Sequence, residues 1–392
     1  LPLCQSDDKV KICVLNPFFY PYKGGTEKVL FEVYRRLAKK NDITVVTSAP
    51  KNYRTDFEDR ISGIKVIRLK SDFIYIPKAP MPFVFMHNLD EVLKKVDADL
   101  YHINNRFQYF YSTLKTIKDM DKKIAITIHN SSPKNIDATT DNFGYLYDYS
   151  WGKKLIHNSD IITGVSMDAI KMTVPKEDVR RSKVIYNGVD FKRFKPRGKN
   201  NKIVKKIKSE YYETGINVLN NGRLVTQKGQ IYLMKAVSNL LKENYDIKLT
   251  LIGNGPLYNK FIRFAKMHGM YENFRIISGI PEEFLPYYYN AADVFVFPSL
   301  YEPAGMALLE AMSSEIPSMA TRIGGIPEMM GSCGLYFPSE NSQGIYSRLK
   351  KIIDNGFDKE LLIKGRERMV KYHDWNKIAK EYEELFESNL RF

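Results

Sequence analysis

The sequence predicts an α/β protein of two doubly wound domains facing each other across a cleft, and three observations predict it. The chain has 392 residues, longer than one hydrophobic core serves, since single cores stop growing at about 250 to 300 residues. Apolar runs of strand length alternate with amphipathic helical patterns, the grammar of a parallel sheet. That alternation breaks once, at a basic stretch near mid-chain, and then resumes.

The pattern opens with KICVLNPFFYPYKGGTEKVLFEVYRRLAKK: a buried strand over Val10–Leu15, a Pro/Gly loop, then an amphipathic helix. Strand-like runs follow at Ile43–Thr47, Ile64–Leu69, Leu100–Ile103, Ile124–Ile128, Ile161–Val165 and Lys183–Tyr186. Beyond the basic stretch they return at Ile216–Asn220, Ile247–Ile252, Phe274–Ile277 and Val294–Phe297. Two Rossmann-like domains, residues 1–195 and 196–373, joined near Arg193–Lys208, are the simplest architecture. The tail DWNKIAKEYEELFESNL sets Trp375, Ile378, Ala379, Tyr382, Leu385 and Phe386 at helical spacing behind an Asp374 cap. A helix over 374–392 is therefore expected to pack back on the first domain.

Composition narrows the class. A 44% hydrophobic and 27% charged chain is that of a soluble globular protein. No run of about 18 apolar residues exists to span a bilayer, and Leu1–Gln5 is too short for a signal peptide. A cytoplasmic location follows as an expectation. Cys4, Cys13 and Cys333 lie far apart without CxxC spacing, so neither a disulfide framework nor a zinc site is indicated. Of the net charge of +15, most comes from Lys171–Lys208, which holds fourteen basic and three acidic residues. No nucleic-acid-binding motif accompanies it, so no nucleic acid is expected as a partner. A basic surface of this kind suits phosphorylated ligands and acidic lipid headgroups.

Ligands of open α/β sheets bind beyond the carboxyl ends of the strands, and the candidate residues are sought there. The stretch YEPAGMALLE carries Glu302 and Glu310. Inside one helix they would stand about 12 Å apart along the axis and roughly 80° apart around it. Glycosidic acid/base pairs sit about 5 to 9.5 Å apart, so a concerted pair is disfavoured. Pro303 suits a first helical turn, which places Glu302 at the helix entrance, Glu310 two turns inside, and the amides of Ala304, Gly305 and Met306 towards an anion. Such a segment can grip both ends of an elongated ligand with sugar hydroxyls, a diphosphate and ribose hydroxyls. The plainer alternative is a capped helix with solvated glutamates.

Other loops point the same way. NGRLVTQKGQ puts Arg223 and Lys228 between Gly222 and Gly229, where two cations can meet a diphosphate. Gly24 and Gly25 directly precede a helix start, where backbone can approach a phosphate or sugar. His129 ends the strand of KIAITIHNSS; the Asn130-Ser131-Ser132 sequon beside it is discounted in a cytosolic chain. Gly253-Asn254-Gly255 lacks the third glycine of a dinucleotide fingerprint. Asp97-Ala98-Asp99 precedes a strand, away from the ligand end, and is taken as a helix-end turn. No metal site is expected.

Together, GGTEKV, TIHN, VIYNGVDFKRFKP, NGRLVTQKGQ, LIGNGP, DVFVFPSLYEPAGMALLEAM and TRIGGIPEM resemble, in that order and over nearly the whole chain, the retaining GT-B glycosyltransferases of family 4. The resemblance implies that the first domain is the acceptor side and the second binds a nucleotide-sugar donor. It implies that Arg223 and Lys228 clamp the donor diphosphate and that Glu310 holds the ribose. Glu302, with the amides around Ala304, Gly305 and Met306, would hold the sugar, and Gly24 and Gly25 would approach the donor. His129 would line the sugar pocket, and Gly279 and Ile280 would meet the base. In the family Ala304 is commonly a larger residue, which implies a roomier sugar pocket here.

The implied reaction moves a hexose from a UDP- or GDP-sugar to a glycan or lipid-linked acceptor, with retention and without an obligatory metal. No cofactor is expected beyond the donor itself. The apolar stretch FIYIPKAPMPFVFMHNL over 73–89 is a candidate lipid- or acceptor-facing surface, which would put the protein at the periphery of an anionic membrane; a strand, loop and buried helix is the alternative. Two other readings remain: a phosphorylase or epimerase on the same scaffold, and a non-catalytic nucleotide-sugar or nucleic-acid binder.

Overall fold

The computed structural model describes residues 9–22, 24–75, 82–106, 108–130, 151–198, 200–211 and 214–390. Cys4, Ser131, Ser132 and the middle of the apolar stretch, 76–81, lie outside them. The chain divides into two units, Leu1–Asn187 with Trp375–Phe392, and Gly188–Asp374.

The first unit is built on β1 (Lys11–Leu15), β2 (Asp42–Ser48), β3 (Phe57–Ile61), β4 (Ile64–Leu69), β5 (Ser71–Ile74), β6 (Phe83–Met86), β7 (Leu100–Asn104), β8 (Lys123–Ile128), β9 (Ile161–Gly164) and β10 (Ser182–Val184). Its main sheet runs β10-β9-β8-β7-β1-β2-β4-β3. Every pair is parallel except β3 with β4. Central strands covered on both faces read as continuous apolar runs; β1 accordingly has Ile12, Cys13, Val14 and Leu15 buried. Burial also pushes the Cys13 thiol well above its usual range.

Helix Gly25–Leu37 follows β1. The tail helix Trp375–Leu390 lies on it, with Arg36 Nε donating to Asn376 Oδ1 at 2.9 Å and Lys40 paired to Glu383 at 3.3 Å. Tyr382 and Phe386 of the tail cover the His102 ring at centroid distances of 5.9 and 5.3 Å.

The apolar stretch expected as either a surface patch or a strand, loop and buried helix contributes a separate antiparallel hairpin of β5 with β6. Phe73 and Val84 face each other on its inner side, and Phe73 stacks on Phe18. Ile74, Tyr75 and Phe85 are exposed. A helix does follow, Leu89–Val96, and Asp97 ends it in the left-handed region at φ 43°. Asp97 pairs with Lys122 at 2.9 Å and Asp99 accepts from the Lys11 amide at 2.8 Å, so this carboxylate pair serves the helix end and the sheet. The Lys122 ammonium holds the Asp97 carboxyl below its usual range.

The second unit contains β11 (Ile216–Asn221), β12 (Ile247–Ile252), β13 (Phe274–Ile277), β14 (Val294–Phe297), β15 (Ser318–Thr321) and β16 (Leu335–Phe337), all parallel, in the order β13-β12-β11-β14-β15-β16. Val218, Leu233, Val237, Leu249, Leu251 and Val296 are among its core. Gly188–Lys195 belongs to this unit, which moves the boundary earlier than the expected residue 195. The reason is local bonding: Val189 N–H donates to His373 O at 2.8 Å, and Ser313 Oγ to Phe194 O at 2.6 Å. Phe194 itself packs edge-on against Tyr289.

No helix among the described residues is long and apolar enough to cross a membrane.

Candidate functional site

In the second unit, β11 and β14 are neighbours although β12 and β13 lie between them in the chain, so their carboxyl ends flank a topological switch point. The loops leaving them are locked together. Leu300 N–H donates to Gln227 O at 2.7 Å. Gly229, at φ +61°, lies so close to the Pro298 carbonyl that any Cβ would overlap its oxygen. On its other side the β11 loop is held by Leu224 N–H to Asn254 O at 2.9 Å, which gives the LIGNGP turn a structural task. Gln230 Nε2 donates to Arg223 O at 2.9 Å and fixes the backbone that presents this exposed guanidinium.

Lys228 and Glu302 meet across these loops as an ion pair through Glu302 Oε2. The Lys228 ammonium also lies 5.5 Å from the centre of the Phe297 ring. Glu302 is buried, and its Oε1 accepts the Gly305 amide at 3.0 Å. Here the structure corrects the expected helix. Pro303 precedes the helix instead of opening it: Gly305 is the cap residue at φ 48°, and the helix is Met306–Ser313. The Gly305 amide is therefore taken by Glu302 and does not point outward. Glu310 consequently sits one turn inside the helix, 4% exposed, where its Oε2 accepts from the Tyr289 hydroxyl at 3.0 Å. Ala304 is buried beside the cap and Met306 half-buried.

Arg223, Lys228, Glu302, Ala304, Gly305, Met306 and Glu310 thus share the ends of two adjacent strands. Gly279 and Ile280 follow β13, two strands away from β11 at the sheet edge; Gly279 is exposed at φ +73°.

In the first unit, the comparable switch point lies between β1 and β7. Gly24 is the residue before helix Gly25–Leu37, and the Glu27 carboxylate folds over it. Burial pushes the Glu27 carboxyl up to about 6, against the pull of its backbone hydrogen bond and of Asn16, whose Nδ2 lies 3.4 Å from Oε1. His129, after β8, is 7% exposed. Its amide donates to Asn105 Oδ1 and its Nε2 lies 3.0 Å from Asn104 Oδ1. Asn104 Nδ2 faces the His102 carbonyl, so Nε2 of His129 carries the proton and Nδ1 is an acceptor. Desolvation holds the His129 imidazole down at about 3, neutral at physiological pH.

Glu27, Asn104, Asn105 and Tyr289 were not singled out from the sequence. Glu27 stood in plain view inside GGTEKV; the asparagines and Tyr289 act through long-range pairings that no local pattern displays. Among the described residues one group, His157, Glu177 and Asp178, brings three ligand-type atoms within 4.8 Å. Arg181 Nε, at 2.8 Å, and His157 Nδ1, at 3.1 Å, already take the two oxygens of Asp178, an ion-pair network at a helix end.

Two doubly wound parallel sheets, the second carrying cations and buried carboxylates at its switch point, define the GT-B class of glycosyltransferase. The chain belongs to glycosyltransferase family 4: residues 23–193 match the model described as Glycosyltransferase Family 4, and 201–374 the model for Glycosyl transferases group 1. It is 23% identical to the sulfoquinovosyl transferase SQD2 of Arabidopsis thaliana, over 92% of this chain and 70% of that protein. It is 22% identical to the phosphatidylinositol N-acetylglucosaminyltransferase GPI3 subunit of Saccharomyces cerevisiae, over 96% and 82%. Among solved structures, Anabaena HepE in complex with UDP and glucose shares the fold with a TM-score of 0.76, at 16% identity over 97% of this chain and all of that one.

Proposed function

We propose that this glycosyltransferase moves a hexose from a nucleoside diphosphate sugar to a lipid-linked or glycan acceptor with retention at the anomeric carbon. The observation that carries the reading is the locked pair of loops after β11 and β14, which presents Arg223 and Lys228 together with Glu302 and Glu310. The two cations and the amino end of helix Met306–Ser313 offset the charge that grows on the leaving diphosphate. With that charge met by side chains, the transfer proceeds without a metal. Glu302, fixed by Lys228 and the Gly305 amide, accepts from hydroxyls of the sugar; Glu310 accepts from the ribose. Gly279 and Ile280 meet the base through backbone, and Gly24 and Gly25 let the chain approach the donor.

His129, neutral and with Nδ1 an acceptor, holds a sugar hydroxyl and leaves proton transfer to others. The departing phosphate oxygen takes the acceptor's proton as the new bond forms on the face it vacates. A carboxylate base is then unnecessary, which agrees with the separate tasks given to Glu302 and Glu310.

For the acceptor, the β5–β6 hairpin supports a lipid-linked molecule at an anionic membrane surface. Ile74 and Tyr75 are 52% and 61% exposed, and Lys51 stands 5.0 Å from the Tyr75 ring, an apolar face beside a cation. One relative points the same way by name, a phosphatidylinositol N-acetylglucosaminyltransferase subunit. Co-sedimentation with anionic vesicles at low salt is expected, and its absence at both low and high salt would contradict a membrane acceptor.

The donor is tested by thermal shift against UDP, GDP, ADP and their sugars. A ligand bound only by the native state raises its melting temperature, the more so the tighter it binds. Stabilisation by one base series is expected; no shift with any of them would remove the donor assignment.

A further inference from the structure

We infer that Tyr289, held by Asn221, is a positioning residue that sets the Glu310 carboxylate for the ribose, an inference that rests on the donor reading above. Tyr289 lies on helix Leu285–Ala291, and its side chain is fully buried between Phe194 and Phe295, with ring centroids 5.7 and 5.6 Å away. A phenol in that setting needs partners, and three converge on its oxygen. Asn221 Nδ2, at the carboxyl end of β11, lies 2.9 Å away; Glu310 Oε2 lies 3.0 Å and Ala307 O 3.2 Å away.

The proton inventory orders these bonds. Glu310 Oε2 and Ala307 O are acceptors, so the single phenolic hydrogen serves them and Asn221 must donate. Burial, and next the nearby Glu310 charge, push the phenol well above its ordinary range, so that hydrogen is always present. Asn221 in turn belongs to the strand whose loop carries Arg223 and Lys228. One hydroxyl therefore ties the diphosphate loop to the ribose carboxylate.

The physical benefit lies in the last torsion of a glutamate, which is broad and intrinsically soft. A fixed donor at Oε2 selects one carboxylate plane before ligand arrives. Two vicinal hydroxyls then meet acceptors already in place, and less ordering is left to the binding step. The phenol also supplies a bond that a 4% exposed carboxylate would otherwise lose with water.

The test compares the tightest-binding of UDP, GDP and ADP with its 2′,3′-dideoxy form by titration calorimetry on the full chain. Wild type is expected to prefer the ribose form, and Glu310→Gln to lose most of that preference. Tyr289→Phe should reduce the preference about ten-fold, the scale of one charge-assisted hydrogen bond. Affinity for the dideoxy form should stay unchanged, and in turnover the donor KM should rise while kcat holds. Asn221→Ala should move the preference in the same direction by about three-fold, since the phenol keeps its hydrogen but loses its anchor.

If Glu310→Gln keeps the full preference, the ribose assignment itself fails and the inference falls with it. If Glu310→Gln loses the preference while Tyr289→Phe retains it, or weakens both nucleotides equally, the positioning role is overturned and the ribose assignment survives. Should Tyr289→Phe not fold, Asn221→Ala decides alone, an unchanged preference overturning the role.

Discussion

The two units use the same architecture to opposite chemical ends. Each is a doubly wound parallel sheet with ligand-type residues beyond the carboxyl ends of adjacent strands at its switch point. In the first, those residues are buried groups whose charged forms are disfavoured: His129 is held down to about 3 and the Glu27 carboxyl is pushed up to about 6, both chiefly by desolvation. In the second, Lys228 and Glu302 face each other as opposite charges, and Arg223 is exposed. Pairing and partial hydration let charge persist where burial alone would remove it. The lesson is that the strand grammar supplies a place, and the burial of the loop decides whether that place offers hydrogen bonds or charge.

That contrast can be broken most severely in the second unit. Lys228→Ala and Glu310→Ala should each cost about a hundred-fold or more in donor kcat/KM, the scale of losing a group aimed at developing charge or at a substrate anchor. Both proteins should retain native circular dichroism. Normal turnover in the two variants would contradict the site.

A smaller effect is expected in the first unit. His129→Asn keeps a neutral polar group near Asn104 but withdraws the Nδ1 acceptor, and turnover should fall about ten-fold, the worth of one hydrogen bond. Steady-state assays at saturating donor and acceptor read this directly; a fall as deep as that of Lys228→Ala would erase the distinction between the units.

Acid separates the units through stability instead of turnover. His102 and His129 are both held down to about 3 in the native protein, whereas an unfolded chain protonates them near 6.5. The native state therefore binds fewer protons below that value, and stability is fully present above about 6.5 and lost as pH falls towards 3. Each imidazole contributes a slope of about 1.4 kcal/mol per pH unit in that window. Glu27 acts in the opposite sense, its raised carboxyl returning some stability between about 6 and 4.5. Denaturant titrations from pH 7 to 5 should show the loss, and His129→Asn should flatten it.

The parts of this picture legible in the sequence are those with strong local signatures. Ile64–Leu69, Ile247–Ile252, Phe274–Ile277 and Val294–Phe297 are strand-length runs rich in β-branched and other apolar residues and coincide with strands end to end. The antiparallel β3, FEDRI, escaped because an edge strand alternates exposure and reads as a polar loop. β15 and β16 escaped because SMAT and LYF are too short for periodicity to register. The loops carrying Arg223, Lys228, Glu302 and Glu310 were visible as motifs, yet the start of the helix was placed three residues early. A proline is a strong helix-start signal, whereas the left-handed cap at Gly305, whose amide donates to Glu302 three residues earlier, leaves no comparable mark in the sequence. Tyr289 was hidden among three consecutive tyrosines, and only the fold shows which one turns inward.

The second unit is proposed to hold the nucleoside diphosphate through charge, while His129 of the first is proposed to act on the sugar through a neutral hydrogen bond. Titration calorimetry of the base-matched nucleoside diphosphate, without its sugar, against wild type, Lys228→Ala and His129→Asn tests it directly. Lys228→Ala is expected to weaken binding by about ten-fold or more while His129→Asn binds as wild type does. Wild-type affinity in Lys228→Ala, or an equal loss in His129→Asn, would contradict it.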